Sequence, residues 1–349
     1  MNRFIIPGKA ALIALFLIMS SNQHIRAQED CALKLQEAQA QYERGRVEQV
    51  TGLLQPCLSS GGFSREEEVT AYKLLIQALI MDEELEAADE TMLEFLRRFP
   101  EYSVTAADYP GFTYLRNKFR VTPLLLLSFR AGLNYTFLTG RDEQSLSSLP
   151  PDIKYSREPL NFTASTEVSL PVTGRLSVAA GIGYSSSSFL YNENMMNFGD
   201  VTYRESQKRI EIPVSAIYEI GRFGNVLLYG RAGAGYAINI SVDAKASFIP
   251  SDINNAYTRT GENLDRKSSR IGSELFLLAG AGGMFKIPHG YLSAEIRTLL
   301  GTRNQVIRSD AGNLEYYYFY SDDDFRLNLA RVTIGYTYIF YKPSKVTGL

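Results

Sequence analysis

Tryptophan is absent from this chain, and histidine and cysteine occur only twice each. So little histidine bounds the chemistry. His24 precedes the expected mature start and His289 sits in a tight "PHG" turn, so neither can join a serine or cysteine in a nucleophilic arrangement. The chain reads as non-enzymatic, with no cofactor and no bound metal. Positive charge is not in excess either. The 36 Lys and Arg face 38 Asp and Glu, and Arg3, Lys9 and Arg26 precede the expected mature start. The remaining 33 basic residues against 38 acidic ones exclude nucleic acid as a partner. Long apolar runs are missing too. "AALIALFLIM", Ala10 to Met19, is too short to cross a bilayer as a helix.

That short run does have a use. Arg3 and Lys9 precede it and a polar stretch ending at Ala27 follows, which is the order of a secretory signal over residues 1–27. Export puts Cys31 and Cys57 in an oxidising space, where an even count predicts one disulfide; two buried thiols are the alternative. The segments "CALKLQEAQAQYERG" and "RVEQVTGLLQPCL" read as helices turning at Gly45, so the second returns toward the start of the first. A second pair follows. Ser64 and Glu67 form a capping-box signature, and Val69, Tyr72, Leu75, Ile76 and Leu79 recur at helical spacing. "EELEAADETMLEFLRRF" repeats the pattern and stops at Pro100. With the turns aligned, Arg46 falls opposite Glu83, and Ala38, Tyr42 and Gly45 supply small, aromatic and glycine positions. The segment resembles tetratricopeptide repeats; a plain stack of helical hairpins is the alternative. Either form implies a helical adaptor over residues 28–100, with a groove for a peptide or protein partner. Residues 101–123 read as a linker.

From Leu124 the period changes from 3.6 to two. Eight strands are expected over about 124–138, 159–171, 175–190, 208–220, 226–242, 271–286, 291–300 and 326–340. Short connections ("VTG", "GRFGN", "PHG") alternate with long polar ones over 139–158, 191–207, 243–270 and 301–325. This is an antiparallel up-and-down barrel over residues 124–341, with a tail at 342–349. The fold class is α + β multidomain: a short all-α unit, then the barrel. One strand phase is greasy, as in Leu127, Phe129, Leu133 and Tyr135; the other carries Gly, Ser and charge. Both signs occur in that second phase: Arg130, Arg231, Arg297 and Arg331 against Glu167, Glu211, Glu274 and Glu295. Eight strands leave room only for side chains inside, so these eight are expected to pair into a plug. A gated ion path is the functional alternative.

The last strand, "VTIGYTYIF", carries Thr333, Gly335, Tyr338 and Phe340: polar, glycine, then two aromatics one residue apart. It resembles the C-terminal signal of outer-membrane proteins, departing in the nine residues that follow. The whole region resembles eight-stranded OmpA-like and PorT-like outer-membrane barrels. That resemblance implies outer-membrane lipid around the greasy phase, the barrel assembly machinery as a partner, long loops outside the cell and the adaptor in the periplasm. "LEYYYFYS" is expected to extend a strand above the membrane or to form a contact surface, and "SDDD" to be a solvated acidic loop, with Ca²⁺ the alternative. The expected function is an envelope scaffold presenting the adaptor to a periplasmic or outer-membrane protein. A surface adhesin acting through its loops, or a small-solute or ion transporter, are the alternatives.

Overall fold

The computed structural model describes residues 30–142, 152–157, 161–195, 198–251, 258–307 and 312–346; the expected signal lies outside them. The described chain forms two compact units. One runs to Thr122 and includes the residues from Tyr341 onward; the other spans Pro123–Phe340.

The first unit is helical: α1 (residues 30–43), α2 (Val47–Ser60), α3 (Arg65–Met81), α4 (Leu85–Arg98) and α5 (Pro110–Arg116). At the start of α3 the Ser64 hydroxyl accepts from the Glu67 amide, and the Glu67 carboxylate accepts from the Ser64 amide at 2.9 Å. That satisfies two donors that a helix N-terminus otherwise leaves bare. The two hairpins turn alike, because Gly45 and Glu83 both take left-handed conformations (φ 77° and 60°). Leu54, Leu74, Ile76, Met92 and Phe95 are fully buried between the helices. Cys31 and Cys57 are joined, with 5.7 Å between their Cα atoms, stapling the start of α1 to the end of α2.

Two expectations change here. Residues 101–123 are no linker: Phe112 and Leu115 of α5 are buried in the helical core, and the Gln77 side chain accepts from the Phe112 amide at 3.1 Å. The residues of α5 thus pack on the helical core beside α3. The described part of the tail, to residue 346, also has partners in the helical unit. Lys345 pairs with Asp89, the Val346 amide donates to the Lys118 carbonyl at 2.8 Å, and Tyr341 donates to Glu101 at 2.6 Å.

The second unit is a closed antiparallel ring. Its strands are β1 (Phe119–Asp142), β3 (Asn161–Pro171), β4 (Leu176–Met195), β5 (Gly199–Phe223), β6 (Val226–Pro250), β8 (Ser273–Ile287), β9 (Gly290–Gly301) and β10 (Asp324–Lys345). Neighbours run β4-β3-β1-β10-β9-β8-β6-β5, and β4–β5 pairing closes the eight. Short β2 (Asp152–Arg157) and β7 (Arg259–Asp265) pair with β4 and β6 beyond the ring.

Several strands run further than the sequence pattern suggested. The segment 191–207, read as a long loop, is paired strand in its described residues, 191–195 and 199–207, with Tyr191 opposite Tyr203 and Met195 opposite Gly199. Much of 243–270 is likewise ladder, formed by β6 and β7. Inward alternation continues through this part, with Val201, Tyr203, Glu205 and Gln207 buried, but the outward residues change from Ile210, Ile212 and Val214 to Lys208, Arg204 and Asp200. A two-state apolar count loses such strands because both faces have stopped being contrasting. "LEYYYFYS" is also corrected: Gly312–Tyr318 form a helix, α6, not a strand extension.

Candidate functional site

The barrel interior gathers the charge. Successive strand residues face opposite sides, so Arg130, Glu167, Glu211, Arg231, Glu274, Glu295, Arg297 and Arg331 all point inward, and each is buried. Outward lie Phe129, Val168, Ile212, Ile296, Val332 and Ile334, the last 70% exposed. An exposed apolar belt around a charged interior is the pattern of a barrel that meets lipid.

The interior charges sort into two clusters. In one, Arg130, Arg231 and Arg297 share two carboxylates. Glu167 accepts from Arg130, from Arg231 at 2.6 Å and from Arg297 at 3.0 Å. Glu295 accepts from Arg297 at 2.6 Å and from the Tyr229 hydroxyl at 2.7 Å, and lies 3.5 and 4.0 Å from Nε of Arg231 and Arg130. In the other cluster Arg331 grips Glu211 with both Nη atoms at 3.0 Å. Arg209 bridges Glu211 (3.4 Å) and Glu274 (3.0 Å), and Ser185 donates to Glu211 at 2.6 Å. The sequence reading missed Arg209. It shares the parity of Glu211 two residues away, but it fell beside a strand boundary drawn at 208.

A third cluster lies beyond the apolar belt, in segments read as loops. The Arg270 guanidinium donates to Glu205 (2.6 Å) and to Asp322 (2.7 Å), and Arg266 also pairs with Asp322. The "SDDD" run is therefore no solvated loop at Asp322. Burial alone would raise the Asp322 carboxyl; Arg270 and Arg266 hold it below its ordinary value. Tyr203 donates to Glu205 at 2.6 Å, and Tyr320 stacks on the Tyr203 ring at 3.8 Å. Phe189, Phe248, Phe325 and Leu327 pack around them, a separate apolar core. No regular spacing in the sequence joins residues 203, 270 and 322.

The residues of the proposed C-terminal signal all lie on β10. Thr333 points inward and is buried, Phe340 is exposed, and its ring lies 4.9 Å from that of Tyr338. Gly335 has a local reason: a Cβ there would stand 2.5 Å from the Phe129 carbonyl and 2.7 Å from Arg130 Cγ. His289 occupies the β8–β9 turn with φ 65°. The Cys31–Cys57 bridge sits in the helical unit.

Residues 119–287 match the family model described as outer membrane protein beta-barrel domain. No curated protein matches the chain. Among solved structures, OprG from Pseudomonas aeruginosa is similar at 9% identity over 62% of this chain and 97% of that one (TM-score 0.34). Neisserial surface protein A is similar at 14% identity over 63% and 99% (TM-score 0.32). Ail of Yersinia pestis, an attachment invasion locus protein, is similar at 14% over 62% and 99% (TM-score 0.26). Likeness at this level says nothing of function.

Proposed function

We propose that this chain, an outer-membrane β-barrel protein, is a non-enzymatic anchor that holds its helical unit in the periplasm for another envelope or secretion component. The observation that carries the reading is the helical unit itself. It has its own core, its own disulfide, and chain from both barrel ends: Phe119 is buried in its core, and Lys345 pairs with Asp89. Ion pairs between arginines and glutamates from different strands cross the barrel interior, which speaks against an open conduit. Periplasmic placement is supported by topology. β1 begins and β10 ends at the end of the ring that carries the short turns between β3 and β4, β5 and β6, and β8 and β9, the end that faces the periplasm in such barrels. The paired hairpins supply a tetratricopeptide-like groove for a protein partner. Thr333, Gly335, Tyr338 and Phe340 serve as the signal read by the barrel assembly machinery.

A second reading has its own observation. The apolar core beyond the belt orders the outer segments and leaves Tyr316 and Tyr317 exposed, which favours an adhesin or receptor surface. Two deletions separate the readings. Removing residues 28–118 while keeping signal and barrel is expected to abolish function, and trimming 302–323 to leave it intact. The reverse pattern supports the adhesin. Photo-crosslinking in cells from exposed helical positions such as Leu33 is expected to capture the partner.

A further inference from the structure

The two clusters inside the belt differ in charge. Arg209 and Arg331 face Glu211 and Glu274, two against two. Arg130, Arg231 and Arg297 meet only Glu167 and Glu295 among the ion pairs of the described residues, three against two. All three of those arginine side chains are at least 96% buried, with 2%, 0% and 4% exposed. An uncompensated buried charge is among the most expensive features a protein can carry. The surplus is matched by surplus donors. Arg130 and Arg231 both give Nη1 to the same Glu167 oxygen, and their Nε atoms lie 4.0 and 3.5 Å from the same Glu295 oxygen. Neither Nε contact is a hydrogen bond, so each arginine retains both its Nε and its Nη2 groups without a hydrogen-bond partner. Two guanidinium groups bridging one carboxylate pair in the same sense thus leave unpaired N–H groups in a region one negative charge short.

The geometry points to a binding site for one small inorganic anion, of the size and charge of chloride, held by the Nη2 groups of Arg130 and Arg231. A monovalent anion brings the cluster to neutrality and supplies acceptors to donors that have none. A phosphate or sulfate is too large and too highly charged for a single-charge deficit inside an eight-stranded ring. The site is independent of the anchor reading, because it concerns the barrel interior alone.

The test uses the full-length protein reconstituted in detergent, with ionic strength held constant by sodium gluconate. Replacing gluconate with chloride is expected to raise the unfolding temperature by a few degrees, with saturation, and bromide to act likewise. Arg231→Gln, which removes the surplus charge and one donor set, is expected to abolish that dependence; Arg331→Gln, in the two-against-two cluster, is expected to keep it. A crystal grown in bromide should show an anomalous peak within contact of both Nη2 atoms, which holds even if Arg231→Gln does not fold. Indifference of the wild type to chloride overturns the proposal. So does an unchanged chloride response in Arg231→Gln, or an interior without a bromide peak between the two arginines.

Discussion

Leu85 and Ile296 are equally bare, at 61% and 64% exposed, and they lie in units built on opposite plans. The helical unit puts Leu54, Ile76 and Phe95 at its centre and Glu83, Glu84 and Glu86 outside. The barrel puts Arg130, Glu167 and Arg231 at its centre and Ile296, Val332 and Ile334 outside. One physical rule produces both: apolar surface leaves water. In the helical unit the only dry place is the interior, whereas around the barrel the dry place is the bilayer. An exposed side chain is therefore one that meets no other part of the protein, whether water or lipid surrounds it.

Removing a central charge from the barrel is the severest way to break this comparison. Glu167→Gln leaves three buried guanidinium groups with one carboxylate and is expected to destabilise the barrel by about 3–5 kcal/mol. Urea unfolding of the vesicle-reconstituted protein measures it, and a wild-type midpoint would mean the interior is hydrated enough to screen the charges. The next test sets the equally exposed pair against each other. Ile296→Arg is expected to cost up to about 4 kcal/mol in a bilayer, while Leu85→Arg stays within about 0.5 kcal/mol. Equal effects would place both residues in the same solvent.

The disulfide acts on one unit only. Cys31→Ser with Cys57→Ser is expected to lower the stability of the helical unit by about 3 kcal/mol on the chain-entropy estimate. The heat-modifiable migration of the barrel should be unchanged; a simultaneous loss of both would show that the two units unfold together. The smallest effect is electrostatic. Burial would raise the Asp108 carboxyl, but the Lys73 ammonium (2.7 Å), the Thr105 amide and the Tyr102 hydroxyl hold it below its ordinary 3.8. Burial would lower Lys73, but Asp108 and Tyr102 hold it above 10.5. A depressed carboxyl contributes stability above its unfolded value that is lost as pH falls through the folded one. A raised ammonium contributes below its unfolded value and is lost as pH rises through the folded one. Thermal melts of the helical unit should thus be flat from about pH 5 to 9 and fall at both extremes, and Asp108→Asn should flatten both arms by less than about 1 kcal/mol.

Periodicity in the sequence determined much on its own. Spacings of three and four gave four helices, the capping box fixed the start of α3, and strict alternation gave eight strands and assigned Arg130, Glu167 and Arg331 to one face. Those signals are local, set by how consecutive residues point from a helix or strand. Only the tertiary structure decided the rest. It drew the supposed linker into the helical core through Phe112 and Leu115, and the tail onto Asp89 and Lys118. It also brought Arg270 to Glu205 and Asp322 across segments that read as loops, and added Arg209 to a count that had seemed balanced. Alternation says that two faces differ, but which carboxylate a buried guanidinium meets depends on ring closure and register, and these join residues more than a hundred positions apart.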